Sequence, residues 1–123
     1  MDEQKKWIKV SPQIFSIIKA AKPVSNAWAL VQDGKEITAI VERGSNEEKE
    51  SLGAEAGWRL VTFDMELAFD MVGFLAQIAN ALAKEGISIF VISAYSTDHI
   101  FLKEKDLQKA VQVLESLGFF VRV

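Results

Sequence analysis

From Trp58 to Met65 the chain alternates, with Arg59, Val61, Phe63 and Met65 on one side and Trp58, Leu60, Thr62 and Asp64 on the other, which predicts a strand with one apolar face. The period then changes. Met71, Leu75, Ile78, Ala79 and Leu82 fall on one face of a helix, with Asp70 as its N-cap and Lys84-Glu85-Gly86 closing it on a C′ glycine. Ile87 to Ala94 is apolar and β-branched at nearly every position. The polar turn Tyr95-Ser96-Thr97-Asp98 separates it from a second strand, His99 to Lys103. Asp106 can cap a further helix in which Leu107, Ala110, Val111, Leu114 and Leu117 form one stripe, closed by Gly118 and followed by a strand from Phe119 to Val123. The order β-α-β-β-α-β predicts an α+β, ferredoxin-like unit, with two helices on one face of a four-stranded antiparallel sheet. Both parities of Ile87 to Ala94 are apolar, so something covers the second face: the N-terminal half, a second subunit, or both.

The first half repeats this plan in weaker form. Ile14 to Ala20 reads as a strand, Lys22-Pro23-Val24-Ser25-Asn26 as a short crossover in place of a helix, and Ala27 to Gln32 as a second strand. Asp33-Gly34 marks a hairpin into Glu36 to Glu42. From Arg43 to Gly57, three glycines around Glu47-Glu48-Lys49-Glu50 predict a short or frayed helix. The expected division is an N-terminal module, 1–57, and a C-terminal one, 58–123.

Composition narrows the chemistry. A chain of 123 residues, half of them apolar and a quarter charged, is long enough for a core that removes roughly two-thirds of the unfolded surface from water. It has no Cys, which removes disulfides, thiolate metal sites and cysteine nucleophiles and fits a reducing compartment. A net charge of −3 argues against nucleic acid, where affinity comes from released counterions. The run Met71 to Ala83 is interrupted by Gln77 and Asn80 and falls short of the ~20 apolar residues a membrane span needs, so a soluble cytoplasmic protein is expected.

One His and no Cys leave no frame for nucleophilic or zinc catalysis, and neither a phosphate-binding loop nor an H-E-x-x-H pair is present. No catalytic residue, metal or cofactor is expected. His99 and the tryptophans Trp7, Trp28 and Trp58 read as structural side chains. Gly73 is more informative, because glycine in a first helical turn costs about 1 kcal/mol against alanine. Either its missing side chain lets a carboxylate reach the amides of Gly73, Phe74 and Leu75, or it packs against a neighbouring strand. Asp98 offers a carboxylate for an ammonium if its turn lies near Gly73, and otherwise caps local amides. The two features together would suit a free amino acid.

Asp70-Met71-Val72-Gly73-Phe74-Leu75-Ala76, Glu85-Gly86-Ile87-Ser88-Ile89-Phe90 and Ile92-Ser93-Ala94-Tyr95-Ser96-Thr97-Asp98-His99-Ile100 resemble the ACT domain, in particular small ACT proteins related to the CASTOR arginine sensors and the regulatory regions of aspartate kinase. Glu36-Ile37-Thr38-Ala39-Ile40-Val41 resembles a strand of the first module in those proteins, and Gly57-Trp58-Arg59 the joint opening the second. The resemblance implies two ACT-like modules in tandem that bind a small effector, usually an amino acid, at a junction between modules or subunits. By it, Val72, Gly73, Phe74 and Leu75 receive a carboxylate, Ala94, Tyr95, Thr97 and Asp98 line the pocket, and Thr38, Ala39 and Ile40 approach from the first module. Phe74, Leu75, Ala76 and Gln77 supply no second carboxylate for a guanidinium, so arginine is not carried over as the ligand. The implied protein is regulatory, non-catalytic and homodimeric. The alternative is an interaction module that docks to a metabolic enzyme without a ligand. RNA binding and acylphosphatase-like catalysis, two other uses of this element order, lack their motifs here.

Overall fold

The structure, a computed structural model, describes residues 6–65 and 72–122. Its elements are β1 (Lys6–Ala20), β2 (Ala29–Gln32), β3 (Ile37–Glu42), α1 (Asn46–Lys49), β4 (Gly53–Phe63), α2 (Phe74–Lys84), β5 (Ile89–Ser93), β6 (Asp98–Lys103), a 3₁₀ turn (Glu104–Asp106), α3 (Leu107–Ser116) and β7 (Phe119–Arg122). The chain divides into two compact units. One is Gln13–Trp58, and the other joins the described residues of Met1–Pro12 to those of Arg59–Val123. The first is the small unit and the second, which carries α2 and α3, the helical unit.

The helical unit differs from the four-stranded antiparallel sheet that its pattern predicts. Its strand order is β7-β1-β4-β6-β5, with the start of β1 inserted between β4 and β7. The β1–β7 pair is parallel, Lys6 opposite Phe119 and Lys9 opposite Arg122. The reason lies in Trp7-Ile8-Lys9-Val10, whose alternation buries Ile8 and Val10 and gives the segment an apolar face of its own. The first strand therefore begins at Lys6 rather than Ile14, and the expected boundary at 57/58 gives way to a unit that takes in residues 6–12 as well. Arg59 fastens this inserted strand: its guanidinium donates to the Ser11 carbonyl at 2.9 and 3.3 Å, beside Pro12, which has no N–H for a ladder.

Both helices pack on one face. Ile8, Val10, Val61, Phe63, Ile78, Leu82, Ile87, Ile100, Leu102, Ala110, Leu114 and Phe119 form a single buried cluster, which Leu107, Val111 and Leu117 flank. The predicted stripes of α2 and α3 are thus real, and Gly86 and Gly118 follow the two helices with left-handed backbones. One predicted cap turns out otherwise, and the other falls outside the described residues. Asp106 stands at the α3 N-cap position without a side-chain cap bond, since the 3₁₀ turn makes the approach, and Asp70, with Met71, lies outside the described residues. On the opposite sheet face Leu60 and Phe101 are buried, Phe90 and Ile92 are half-buried and Phe120 is 48% exposed. Trp7 stacks there on Phe120 and on the guanidinium of Arg122.

In the small unit β3 lies between β1 and β2, antiparallel to both. Asp33 makes the hairpin turn, its carboxylate accepting from the amides of Lys35 and Glu36 at 2.8 Å each. Ile18, Ala20, Ala39 and Val41 form one small buried cluster, with Val24, Ala27 and Ile37 against it, and Phe15, Ile40 and Trp58 of the unit are buried as well. The expected short helix is α1. Ser45 caps it by accepting from the Glu48 amide, and Glu48 reaches back to accept from the Gly44 amide at 2.7 Å and from the hydroxyl of Ser16, which is fully buried on β1. These hydrogen bonds hold the Glu48 carboxyl below its ordinary range, the Ser16 hydroxyl contributing most. Beyond α1, β4 begins at Gly53, five residues ahead of the predicted Trp58.

Candidate ligand site

Helix α2 starts at Phe74 with Gly73 at the N-cap, so the glycine sits just outside the first turn. Its φ of +84° is the reason for a glycine here. A Cβ built on it would meet nothing within 4 Å, which sets aside packing against a strand as the cause. A glycine also has no side chain to cap with, leaving the first-turn amides, which have no partner within the helix, without a capping oxygen from that position. The Phe74 ring fixes where the helix begins. It meets Phe63 edge-on at 5.4 Å and Phe119 at 6.3 Å.

The β5–β6 turn is closed by the Ala94 amide donating to the Thr97 carbonyl at 2.8 Å, with Ser93 opposite Asp98 at the top of the ladder. Tyr95 is 82% exposed at the tip. Below it, His99 lies between two hydroxyls, Thr62 Oγ1 at 2.9 Å from Nδ1 and Thr97 Oγ1 at 3.2 Å from Nε2. A hydroxyl can donate or accept, so both nitrogens of the neutral ring are served. Burial pushes the His99 pKa down and the neighbouring Asp98 carboxylate opposes it only in part, which keeps the ring neutral at pH 7.

The last residues of β4 touch both features. Thr62 is bonded to His99 of the β6 start, and Phe63 packs on Phe74 of the α2 start. Adjacent strand residues face opposite ways, so the α2 start packs on the Phe63 side of the sheet and His99 lies on the Thr62 side. Val72 is 96% exposed beside Gly73, while the Phe74 side chain belongs to the aromatic packing and offers only its amide. The three residues expected from the first module lie on β3 in the small unit. Ala39 and Ile40 have 0% and 1% of their surface accessible and are core residues in this chain, whereas Thr38 is half-buried and lines a groove with Ile17, Lys19, Glu36 and Glu55.

The residue pattern alone missed Thr62 as the partner of His99. Thr97 and His99 are two apart on a strand and share a face, which is visible in the sequence, but Thr62 depends on the β4–β6 register. Among the described residues no three His, Asp or Glu side chains form a group that could hold a metal ion, and no helix is long and apolar enough to cross a membrane.

The human cytosolic arginine sensor for mTORC1 subunit 1 is 37% identical over 59 residues, which take in 47% of this chain but 18% of the sensor, and the bovine sensor matches equally. The chain thus spans less than a fifth of these relatives. A structure from Agobacterium tumefaciens superposes with a TM-score of 0.80 at 21% identity, covering 98% of this chain and 94% of the other. One from Vibrio cholerae gives 0.76 at 23% identity, with 87% and 85% covered. The regulatory subunit of aspartate kinase from Thermus thermophilus gives 0.61 at 11% identity, with 89% and 95% covered, and at such identities the likeness is one of fold. The ACT domain profile matches residues 53–116, over half of the chain, which belongs to the ACT domain family.

Proposed function

We propose that the chain is a non-catalytic, regulatory protein that binds a small effector, an amino acid, at the end of the helical unit bearing Gly73 and Asp98. What supports the reading is that the last two residues of β4 touch both elements, Phe63 meeting Phe74 at the α2 start and Thr62 bonding His99, which follows Asp98. The amides of Phe74 and Leu75 receive the ligand carboxylate, with Val72 and Gly73 beside them. Asp98 receives the ammonium, and Ala94, Tyr95 and Thr97 form the rim. Neutral His99 adds no positive charge next to that ammonium. Two relatives support the class of ligand and the role, one named as an arginine sensor and the other as the regulatory subunit of a kinase acting on aspartate. In this reading the two runs of elements are ACT-like modules in tandem, and the protein works in the cytoplasm as a homodimer.

Thermal-shift screening against the twenty amino acids tests it. A ligand at ~100 times its dissociation constant adds about 2.7 kcal/mol of stability, a rise of several degrees. Asp98→Ala abolishes that rise while leaving the melting temperature of the free protein nearly unchanged. If none of the twenty shifts the transition, the reading is wrong.

The edge strand β2 favours a second reading, an interaction module without a ligand. Trp28, Leu30 and Val31 on and beside it are 38%, 36% and 47% exposed. Under it, Val31→Lys weakens self-association in sedimentation equilibrium and Asp98→Ala changes nothing.

A further inference from the structure

We infer that the small unit holds a second, separate binding site, a groove for a small aliphatic amino acid where a ferredoxin-like run would normally carry its first helix. The groove has a volume of about 210 Å³ and is lined by the apolar Ile18, Ala20 and Val24 and the charged Lys22, Glu47 and Glu50. Its origin can be read in the residues. After β1 the chain crosses to β2 through Lys22-Pro23-Val24-Ser25-Asn26, and Pro23, which lacks an N–H, suits a turn here better than a helix interior. Val24 of this crossover packs on the cluster beneath while Lys22, Pro23, Ser25 and Asn26 are exposed, so the crossover covers less than a helix would.

The charges decide what fits. Glu47 and Glu50 stand on α1 and at its C-cap, and Lys22 stands on the crossover. Among the described residues none of the three side chains takes part in a salt bridge. Carboxylates on one element and an ammonium on another, over an apolar floor, match the three parts of an aliphatic amino acid: its ammonium, its carboxylate and its side chain. A simple amine would leave Lys22 unanswered, and a simple carboxylate would face two glutamates. The groove shares no residue with the Gly73–Asp98 site, so either can exist without the other.

Amide spectra of the full chain titrated with L-valine test the groove, with isobutylamine and isovalerate as controls that each lack one charge. Saturable shifts are expected at Val24, Ser25 and Ser51, with each control binding about tenfold or more weakly, the loss that follows removal of one charge-assisted bond. Glu47→Gln with Glu50→Gln weakens L-valine by about tenfold or more, and Lys22→Ala does likewise. Absence of shifts at those three amides up to about 50 mM L-valine, beyond the millimolar limit of weak specific binding, overturns the proposal. So does equal binding of either control, or indifference to the glutamate substitutions. Shifts confined to Phe74, Leu75 and Tyr95 overturn the groove and leave the other site standing.

Discussion

The two units run through the same order of elements and reach unequal interiors. In the helical unit α2 and α3 lay two apolar stripes on the sheet, and twelve buried side chains join in one cluster. The small unit has a crossover where α2 would be and a four-residue helix where α3 would be, and beside the cluster of Ile18, Ala20, Ala39 and Val41 it buries Phe15, Ile40 and Trp58. A missing helix takes away apolar area, and polar bonds fill part of the role. Ser16, fully buried, ties β1 to Glu48, and Glu48 ties itself to Gly44, so a short helix with no buried residue is held by hydrogen bonds rather than by packing. The same economy leaves a groove open.

This contrast can be broken at its strong end first. Phe63 is fully buried, and Phe74 and Phe119 both meet its ring edge-on. Phe63→Ala is expected to cost roughly 3–5 kcal/mol in denaturant unfolding followed by circular dichroism; a cost near zero would mean the aromatic cluster does not organise the unit. Gly73→Ala comes next. With open space around the missing Cβ, its cost is backbone alone, about 1–2 kcal/mol for a left-handed residue. A neutral result in the same assay would show that the helix start relaxes to another geometry.

The smallest effect is at the polar anchor. Ser16→Ala removes the strongest support of the Glu48 carboxylate and should cost about 1 kcal/mol, since the carboxylate remains largely solvated. Because Glu48 titrates lower in the folded chain than its ordinary 4.5, the anchor's contribution is present above that pH and fades as pH falls through the folded value. Unfolding curves of the two proteins should therefore converge toward acid. Curves that stay parallel from neutral pH down to strong acid would assign the loss to packing instead.

Most of the helical unit was legible in the sequence, because period and punctuation agree there: Ile78 and Leu82, or Ala110 and Leu114, recur at helical spacing, and Gly86 and Gly118 end the helices where predicted. What was not legible depends on pairing between distant segments. Nothing local in Trp7-Ile8-Lys9-Val10 says that it lies parallel to Phe119–Arg122, or that it separates β4 from β7. The early start of β4 was hidden by Gly53 and Gly57, which read as loop residues yet lie within the strand. At the candidate site, Gly73 was found for a reason only half right. The sequence marks a place where a side chain is unwelcome, and backbone dihedral, not crowding, proves to be the cause. Ala39 and Ile40 were drawn toward the site by likeness alone, and burial keeps them in the core.

A crystal structure with the amino acid that gives the largest thermal shift measures the central claim directly. The account predicts the ligand carboxylate at about 3 Å from the amides of Phe74 and Leu75, with its ammonium on Asp98. Ligand density away from that end of the helical unit, with those amides bonded to protein or water instead, would contradict it.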